Sequence, residues 1–397
     1  MSKKVYLMLS GGVDSSVAAS ILKAEGFEVI GVYMKCWSKD QLEIMGVAES
    51  LYACNWEDDI QDAEIVAKKL DIPFFIWDFQ TQYRQRIVDY MIAEYKIGRT
   101  PNPDVMCNSQ IKFGIFYEKA MLKGADFVAT GHYARIIKNE LPPNPLDSES
   151  SPFKKIVIQD NVFTLDNSKL LLGNCFLAQS PDPLKDQSYF LWRIKKEQLS
   201  KTLLPIGNFK NKVEVRKYAL ENDLITADKK DSQGLCFIGK TSLRDLLLQT
   251  LGPKEGEIIN QDGNILGTHR GAFLYTIGQR NGLGLSGGPF FVSKIDVEKN
   301  LVFVTDVEHE RVLFSKKLQA CSLNLLVEKE FLKLDGQNIF SCQAQTRYHQ
   351  NAINCIVKLL DNKCVEVEFE TEVKAIAKGQ SIVLIREGII LGGAVID

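Results

Sequence analysis

Seven residues near the N-terminus, Ser10-Gly11-Gly12-Val13-Asp14-Ser15-Ser16, have the types needed to hold a phosphate chain. Two adjacent glycines let the backbone come close to a ligand with no Cβ in the way. The serines add hydroxyl donors. The helical spacing of VAASILKAEG, stopping at Gly26, would aim free N–H groups and a positive dipole end at the bound anion. Asp14 would repel a phosphate unless a cation sat between them, which points to Mg²⁺ brought with a nucleotide rather than held in a protein cage. Two cysteines stand out further on. Cys107 is expected at or just before a helix N-terminus capped by Asn108 or Ser109, a setting that lowers a thiol pKa. Asp104, three residues earlier, would raise it by like-charge repulsion, so the pair suits proton handling better than a permanent thiolate. A buried cysteine beside a capping aspartate is the competing description. Cys236 follows Gly234, which can take φ > 0, and His132 ends an expected strand. A histidine so placed could touch substrate, although a lone histidine is more often a structural hydrogen-bonder.

The elements that must position these groups follow from hydrophobic spacing. Residues 5–9, 27–34 and 72–79 predict buried strands, and 41–54, 59–70 and 80–97 predict helices. Residues 125–136 predict a further strand that ends at Gly131-His132. Alternating strands and helices imply a parallel sheet with right-handed crossovers and ligand at the strands' carboxyl ends. The segment GRTPNPD forbids regular structure before Asp104. Residues 139–153 are rich in Pro, Ser and acids and predict an exposed loop, followed by a hairpin pattern. From about 229 to 286 the chain is glycine-rich, with a turn signal at Asp262-Gly263. After 290, short alternating strands with turns predict a closed barrel or sandwich.

The loop is neither GxxxxGK[ST] nor GxGxxG, having no lysine at the helix start. SGGVDSS resembles the pyrophosphate-binding loop of the ATP pyrophosphatase (PP-loop) group. Its members split ATP between the α- and β-phosphates and adenylate a substrate oxygen.

Composition sets limits. At 397 residues, 45% hydrophobic and 25% charged, the sequence predicts two or three globular domains. It has no run of 18 apolar residues and no leader pattern, so neither a membrane span nor a signal peptide is expected and the default location is the cytoplasm. Net charge is −2, yet residues 193–230 hold ten Lys or Arg against five acids. Such a run is usually a solvated face and less often an RNA-binding one. Nine cysteines without CxxC, and only four histidines, give no support for structural zinc or a cluster. Most of the cysteines, among them Cys36, Cys54, Cys175, Cys321, Cys342, Cys355 and Cys364, are expected as small hydrophobes in a reducing compartment.

SGGVDSS, NPDVMCN, GHYAR, KDQSYFL and DSQGLCFIG in this order resemble the tRNA-specific 2-thiouridylase family, over nearly the whole chain. The resemblance implies an α/β, Rossmann-like PP-loop domain over 1–212, a small β-rich central domain over 213–287 and a C-terminal β-barrel over 288–397. It implies that Leu9 to Ser16, with Met34 and Gly131, seat ATP with Mg²⁺. Asn102, Pro103 and Asp104 match the part that meets the target base. Cys107 matches the nucleophile, Cys236 the persulfide carrier and Asp104 an acid/base group, with a transient Cys107–Cys236 disulfide. His132, Lys185, Asp186, Gln187, Arg347, Tyr348 and Gln380 match tRNA-contacting places. The partners implied are the anticodon stem-loop of tRNAs with a wobble uridine and a sulfur-relay protein or cysteine desulfurase. The reaction implied is ATP-dependent conversion of that uridine to 2-thiouridine, a transferase step. A PP-loop amide synthetase acting on a small metabolite would share SGGVDSS but has no need of the two placed cysteines. A non-catalytic RNA-binding protein with a relic nucleotide fold would be indifferent to mutation of the Ser10 loop or of Cys236.

Overall fold

Apolar residues on both faces make β1 (Lys4–Met8) a central strand. Val5 and Leu7 pack one way, Tyr6 and Met8 the other, and all four are buried. The structure, a computed structural model, describes residues 2–37, 56–138, 175–230, 243–361 and 363–397. The helix expected at 41–54, the loop and hairpin expected between 139 and 172, Cys54 and Cys236 lie outside the described residues.

After β1 the glycine loop opens α1 (Val13–Ala24), and β2 (Glu28–Lys35) returns beside β1. The amphipathic α2 (Trp56–Lys69) precedes β3 (Phe74–Asp78). Two long helical segments follow, α3 over 80–96 and α4 over 103–122. Then comes β4 (Phe127–Ala129), on the other flank of β1. The expected strand over 125–136 is two strands. The chain breaks at 130–133, and β5 (Ala134–Lys138) pairs antiparallel with β6 (Cys175–Gln179) in a different sheet. Strand β7 (Thr202–Leu203) completes the parallel sheet in the order β3-β2-β1-β4-β7. The strand order reverses direction at β1, and a crevice forms beyond the carboxyl end at such a point. The glycine loop lies there.

Helix α5 (Lys212–Glu221) packs on α1, so the N-terminal domain runs past the expected limit at 212. Helix α6 (Leu243–Leu251) leads to β8 (Gly256–Ile259) and β9 (Ile265–His269), joined through Gly263 at φ +85° as the turn chemistry predicts. The hairpin of β10 (Phe291–Asp296) and β11 (Leu301–Thr305) belongs to this central sheet, because β11 pairs in parallel with β8. The expected boundary at 287/288 therefore moves beyond Thr305.

The remaining strands are β12 (Phe314–Leu325), β13 (Ile339–Gln345), β14 (Ile353–Leu359), β15 (Val365–Lys374), β16 (Ser381–Arg386) and β17 (Ile389–Ile396). They close as β12-β15-β14-β13-β16-β17 and back to β12, a six-stranded antiparallel barrel with no free edge between first and last. Hairpin β5–β6 extends it at β17 and ties it to the N-terminal domain. Cys342 and Cys355 face each other inside the barrel with sulfurs 3.7 Å apart, buried as expected. Cys321 and Cys364 depart from the expectation. The register that puts Ala320 opposite Val365 brings them together, and they form a disulfide. No helix among the described residues is long and apolar enough to cross a membrane.

Candidate active site

The glycine loop is held by its own side chains. Ser15 and Ser16 are buried, and both hydroxyls donate to the Gly12 carbonyl, at 3.1 and 2.9 Å. Ser15 Oγ also accepts from the Ser10 backbone N–H at 3.1 Å. These two serines therefore set the loop's shape rather than presenting donors outward. Ser10 remains exposed, and Gly12, the N-cap of α1, offers no side-chain cap to the first helical turn. The backbone donors of that turn are what an anion would meet. Leu9 and Val13 are core residues, so only their backbone can face a nucleotide. Met34, partly buried near the end of β2, packs against the other of the two cores that flank this sheet. Gly11 must be glycine: its φ is +75°, and a Cβ there would lie 2.1 Å from the Asp59 carbonyl oxygen of α2.

The segment between β4 and β5 closes the other side of the loop. Gly131 is matched by the resemblance to a place that seats ATP. It approaches the loop itself, since a Cβ on it would lie 2.8 Å from Asp14 C and Ser15 N. Tyr133, buried, donates its phenol to Asp14 Oδ1 at 2.6 Å. Lys212, at the start of α5, places Nζ 2.8 Å from each Asp14 carboxylate oxygen. The cation that Asp14 calls for is thus already in the chain, 198 residues away in sequence. With both oxygens engaged, Asp14 as arranged does not fit the role of a metal ligand, and no step is assigned to protein-bound Mg²⁺.

The same short segment reaches the thiol end. His132 is buried against Phe113, with Nδ1 2.5 Å from Thr130 Oγ1 and Nε2 3.3 Å from Lys112 Nζ. Burial, then the Lys112 charge, hold its pKa well below the ordinary histidine value, so the ring is neutral and accepts from the ammonium. A buried, partnered ring does not present itself to RNA.

Helix α4 starts earlier than expected. Pro103 occupies its first turn, where a missing N–H costs nothing, and Asn102 Oδ1 caps it by accepting from Val105 N at 3.2 Å. Cys107 therefore sits one turn inside the helix, not at its N-terminus, and the capping roles expected of Asn108 and Ser109 do not arise. Asn108 instead is buried and donates to the Phe190 carbonyl. From Cys107 to Phe116 the helix widens into π turns, a form that recurs at functional sites. Asp104 and Cys107, three apart, share one face, and both are partly exposed. Burial raises the Asp104 pKa and the Lys112 charge opposes that rise. Neither Lys112 nor Lys212 was singled out from sequence. The one available signal was a lysine five residues after Cys107.

Three domains converge just ahead of this helix. Gln380 of the barrel donates Nε2 to the carbonyls of Thr100 and Pro101 at 3.0 and 3.3 Å, and Thr100 N donates to Lys378 O. Thr100 Oγ1 lies 3.0 Å from Thr276 Oγ1 of the central domain. Gln380, matched to a tRNA-contacting place, spends its amide on this clamp. Arg347 likewise donates to the carbonyls of Lys374 and Ala375. Tyr348 stacks near Phe190, 4.4 Å between ring centroids, and half-burial beside the Asp186, Asp104 and Asp182 charges pushes its phenol up to about 12. In the KDQ segment, Asp186 is buried and accepts from Ser180 N, Ser188 N and Ser188 Oγ, while Gln187 Oε1 accepts from Tyr133 N. These two shape the loop; Lys185 and Gln187 are both partly exposed.

The basic run over 193–230 is not one open patch. Lys212 binds Asp14, Lys229 binds Asp59 and Asp62, Lys196 binds Glu328, and Arg216 donates to the carbonyls of Ala227 and Lys229.

A parallel sheet with a glycine loop at its switch point, followed by a small β module and a closed barrel, defines an α/β chain of the PP-loop class. Comparison with known proteins agrees piece by piece. The tRNA methyl transferase HUP domain matches residues 3–240, the tRNA methyl transferase PRC-barrel domain 244–306 and the aminomethyltransferase beta-barrel domain 315–396. The chain is 40% identical to the tRNA-specific 2-thiouridylase MnmA 1 of Geobacillus kaustophilus, covering 100% of this chain and 95% of that protein. It is 38% identical to its namesake from Staphylococcus saprophyticus, over 99% and 95% of the two chains, and 37% identical to that of Francisella tularensis subsp. novicida, over 100% and 99%. The chain belongs to the tRNA-specific 2-thiouridylase family.

Proposed function

We propose that this chain is a cytoplasmic, ATP-dependent tRNA 2-thiouridine synthase. The observation that carries the reading is one segment, 130–133, touching both chemistries. Tyr133 reaches Asp14 at the phosphate loop, and His132 reaches Lys112 on the helix of Asp104 and Cys107.

The C2 oxygen of uridine is a poor leaving group. Its attack on the α-phosphate of ATP expels pyrophosphate and converts it to an adenylate, from which AMP departs readily. Backbone donors at the start of α1 stabilise the pyrophosphate charge as it develops. Sulfur reaches the site as a persulfide on Cys236, loaded by a sulfur-carrying protein. Two orders of bond-making remain. The terminal sulfur attacks C2, AMP leaves, and Cys107 then cleaves the carrier S–S bond. Alternatively Cys107 cleaves the persulfide first and the released sulfide attacks. Both leave a Cys107–Cys236 disulfide, which an external thiol must reduce. Asp104, held by burial toward its protonated form, exchanges a proton with the base or the sulfur. The target uridine must be splayed from its loop, as sequence-specific RNA recognition requires. Tyr348 and Phe190, 4.4 Å apart between ring centroids, are aromatic groups on which a base can rest.

The test is sulfur transfer in vitro: protein, unmodified tRNA, Mg²⁺-ATP and a persulfide or sulfide source, with digested nucleosides read by mass spectrometry. The expected product is 2-thiouridine with stoichiometric AMP and pyrophosphate. AMP formation without tRNA and without a thio-nucleoside would overturn the reading in favour of a small-metabolite adenylating enzyme.

A further inference from the structure

We infer that Lys212 is the phosphate-binding cation of the glycine loop, doing from the start of α5 what the loop's own sequence has no lysine to do. The inference deepens the ATP-dependent reading above and rests on it. Its ammonium lies 2.8 Å from both Asp14 oxygens, and Asp14 is the second residue of the helix whose N-terminus faces the loop. The Lys212 side chain is 14% exposed and that of Asp14 31%, so the pair is set into the domain yet opens to solvent at the loop. Tyr133 holds the pair from behind, its phenol on Asp14 and its ring 5.6 Å from Lys212 Nζ.

Charge settles what this arrangement does. Asp14 alone at an anion site would oppose binding by Coulomb repulsion, at a distance where one charge matters. Paired with Lys212 it contributes no net charge, and the ammonium adds a donor of the charge-assisted kind to the backbone N–H groups of the first turn. The aspartate then orients the lysine, and an incoming pyrophosphate meets a cation fixed in place. A lysine delivered by a separate helix has a second consequence. Phosphate binding pulls α5 and α1 together, which an internal loop lysine could not do.

The alternative is that Lys212 only neutralises Asp14 and staples α5 to α1. Calorimetric titration with inorganic pyrophosphate and with ATP, both without divalent ions, separates the two. The proteins are the wild type, Lys212→Met, Lys212→Arg and the double variant Lys212→Met/Asp14→Asn, with thermal unfolding alongside. Lys212→Met is expected to weaken both ligands by about 10- to 100-fold, the range of one charge-assisted hydrogen bond. Lys212→Arg should recover most of the loss. The double variant decides: it keeps the loop neutral without the ammonium, so binding should stay weak. Wild-type affinity in the double variant, or in Lys212→Met, would overturn the inference while leaving the ATP-dependent reading intact. Failure of the wild type to bind either ligand, with or without Mg²⁺, would sink that reading instead.

Discussion

The phosphate loop and the thiol helix lie at two ends of one short segment, 130–133, and are built in opposite ways. The loop is almost self-sufficient. Its serines bond its own carbonyl, Gly11 meets the Asp59 backbone, and one imported side chain, Lys212, supplies the charge. The thiol end is assembled from all three domains. Asp104 and Cys107 share a helix, but the loop ahead of them is held by Gln380 and Lys378 of the barrel and Thr276 of the central domain. The difference teaches where each half is vulnerable. Damage to the barrel should reach sulfur transfer and spare nucleotide binding.

The sharpest way to separate the ends is at the sulfur itself. Cys107→Ser is expected to abolish 2-thiouridine formation altogether while pyrophosphate and ATP bind as in the wild type. Mass spectrometry of nucleosides beside calorimetry checks both halves. Loss of ATP binding in this variant would show that the two ends are not separable.

A smaller effect is expected from breaking the clamp without touching either end. Gly379 has φ +89°, and a Cβ there would lie 2.9 Å from the Thr100 carbonyl oxygen. Gly379→Val should push the barrel loop off the approach to α4. A displacement of that size near a reacting centre costs on the order of 10- to 100-fold in rate. Single-turnover thiolation should fall by that much, with ATP affinity unchanged. Equal loss in both would mean that the domains are coupled through the whole N-terminal sheet rather than at this clamp.

The same contrast explains what was legible in the sequence. A motif whose chemistry is backbone geometry is contiguous, so SGGVDSS could be read directly, as could the alternating strands that close the barrel. Charges delivered from distant elements leave no local trace. Asp14 was read as needing a cation, and the cation was assigned to Mg²⁺ because Lys212 is 198 residues away. His132, Asp186 and Gln380 were matched to tRNA-contacting places by the family resemblance. Their side chains turn inward to partners that no spacing rule exposes: His132 to the Thr130 hydroxyl and Lys112, Asp186 to the Ser180 and Ser188 N–H groups, and Gln380 to the carbonyls of Thr100 and Pro101. The strands over 291–305 were expected as part of the barrel. Pairing with β8 depends on a parallel crossover that alternation cannot report.

Asp104 and Lys112 allow a finer test by pH. Burial raises the Asp104 pKa and Lys112 opposes the rise. If the carboxylate is the active form, the acid limb of the single-turnover profile lies above the ordinary aspartate value, and Lys112→Met moves it to higher pH. The rate at neutral pH should fall by less than about tenfold, since one unit of pKa shift is one decade at most. The sign for stability is opposite in use. A carboxyl whose folded pKa is raised stabilises the fold below its unfolded pKa and loses that contribution as pH rises through the folded value. Asp104→Asn should therefore melt higher than the wild type at neutral pH, with the gain vanishing near pH 3, while thiolation falls. A variant that melts lower at neutral pH would mean that the carboxylate is held by bonds that favour its charge.

The smallest effect on activity is expected farthest from both ends. The Cys321–Cys364 disulfide closes 43 residues of sequence containing β13 and β14, and cross-linking a loop of that size stabilises a domain by about 2–4 kcal/mol. Reduction, or Cys321→Ser, should lower the melting temperature of the barrel by several degrees. At 25 °C the clamp should stay closed, so thiolation per folded molecule should not change. Cys342 and Cys355 supply an internal control, because their 3.7 Å separation is a packing contact and no bond is there to reduce. A fall in sulfur transfer on reducing the barrel disulfide, at a temperature where the barrel is folded, would break the comparison from its far side. The barrel would then be a redox-coupled part of the thiol site, and its hold on Thr100 and Pro101 the route by which that state reaches Cys107.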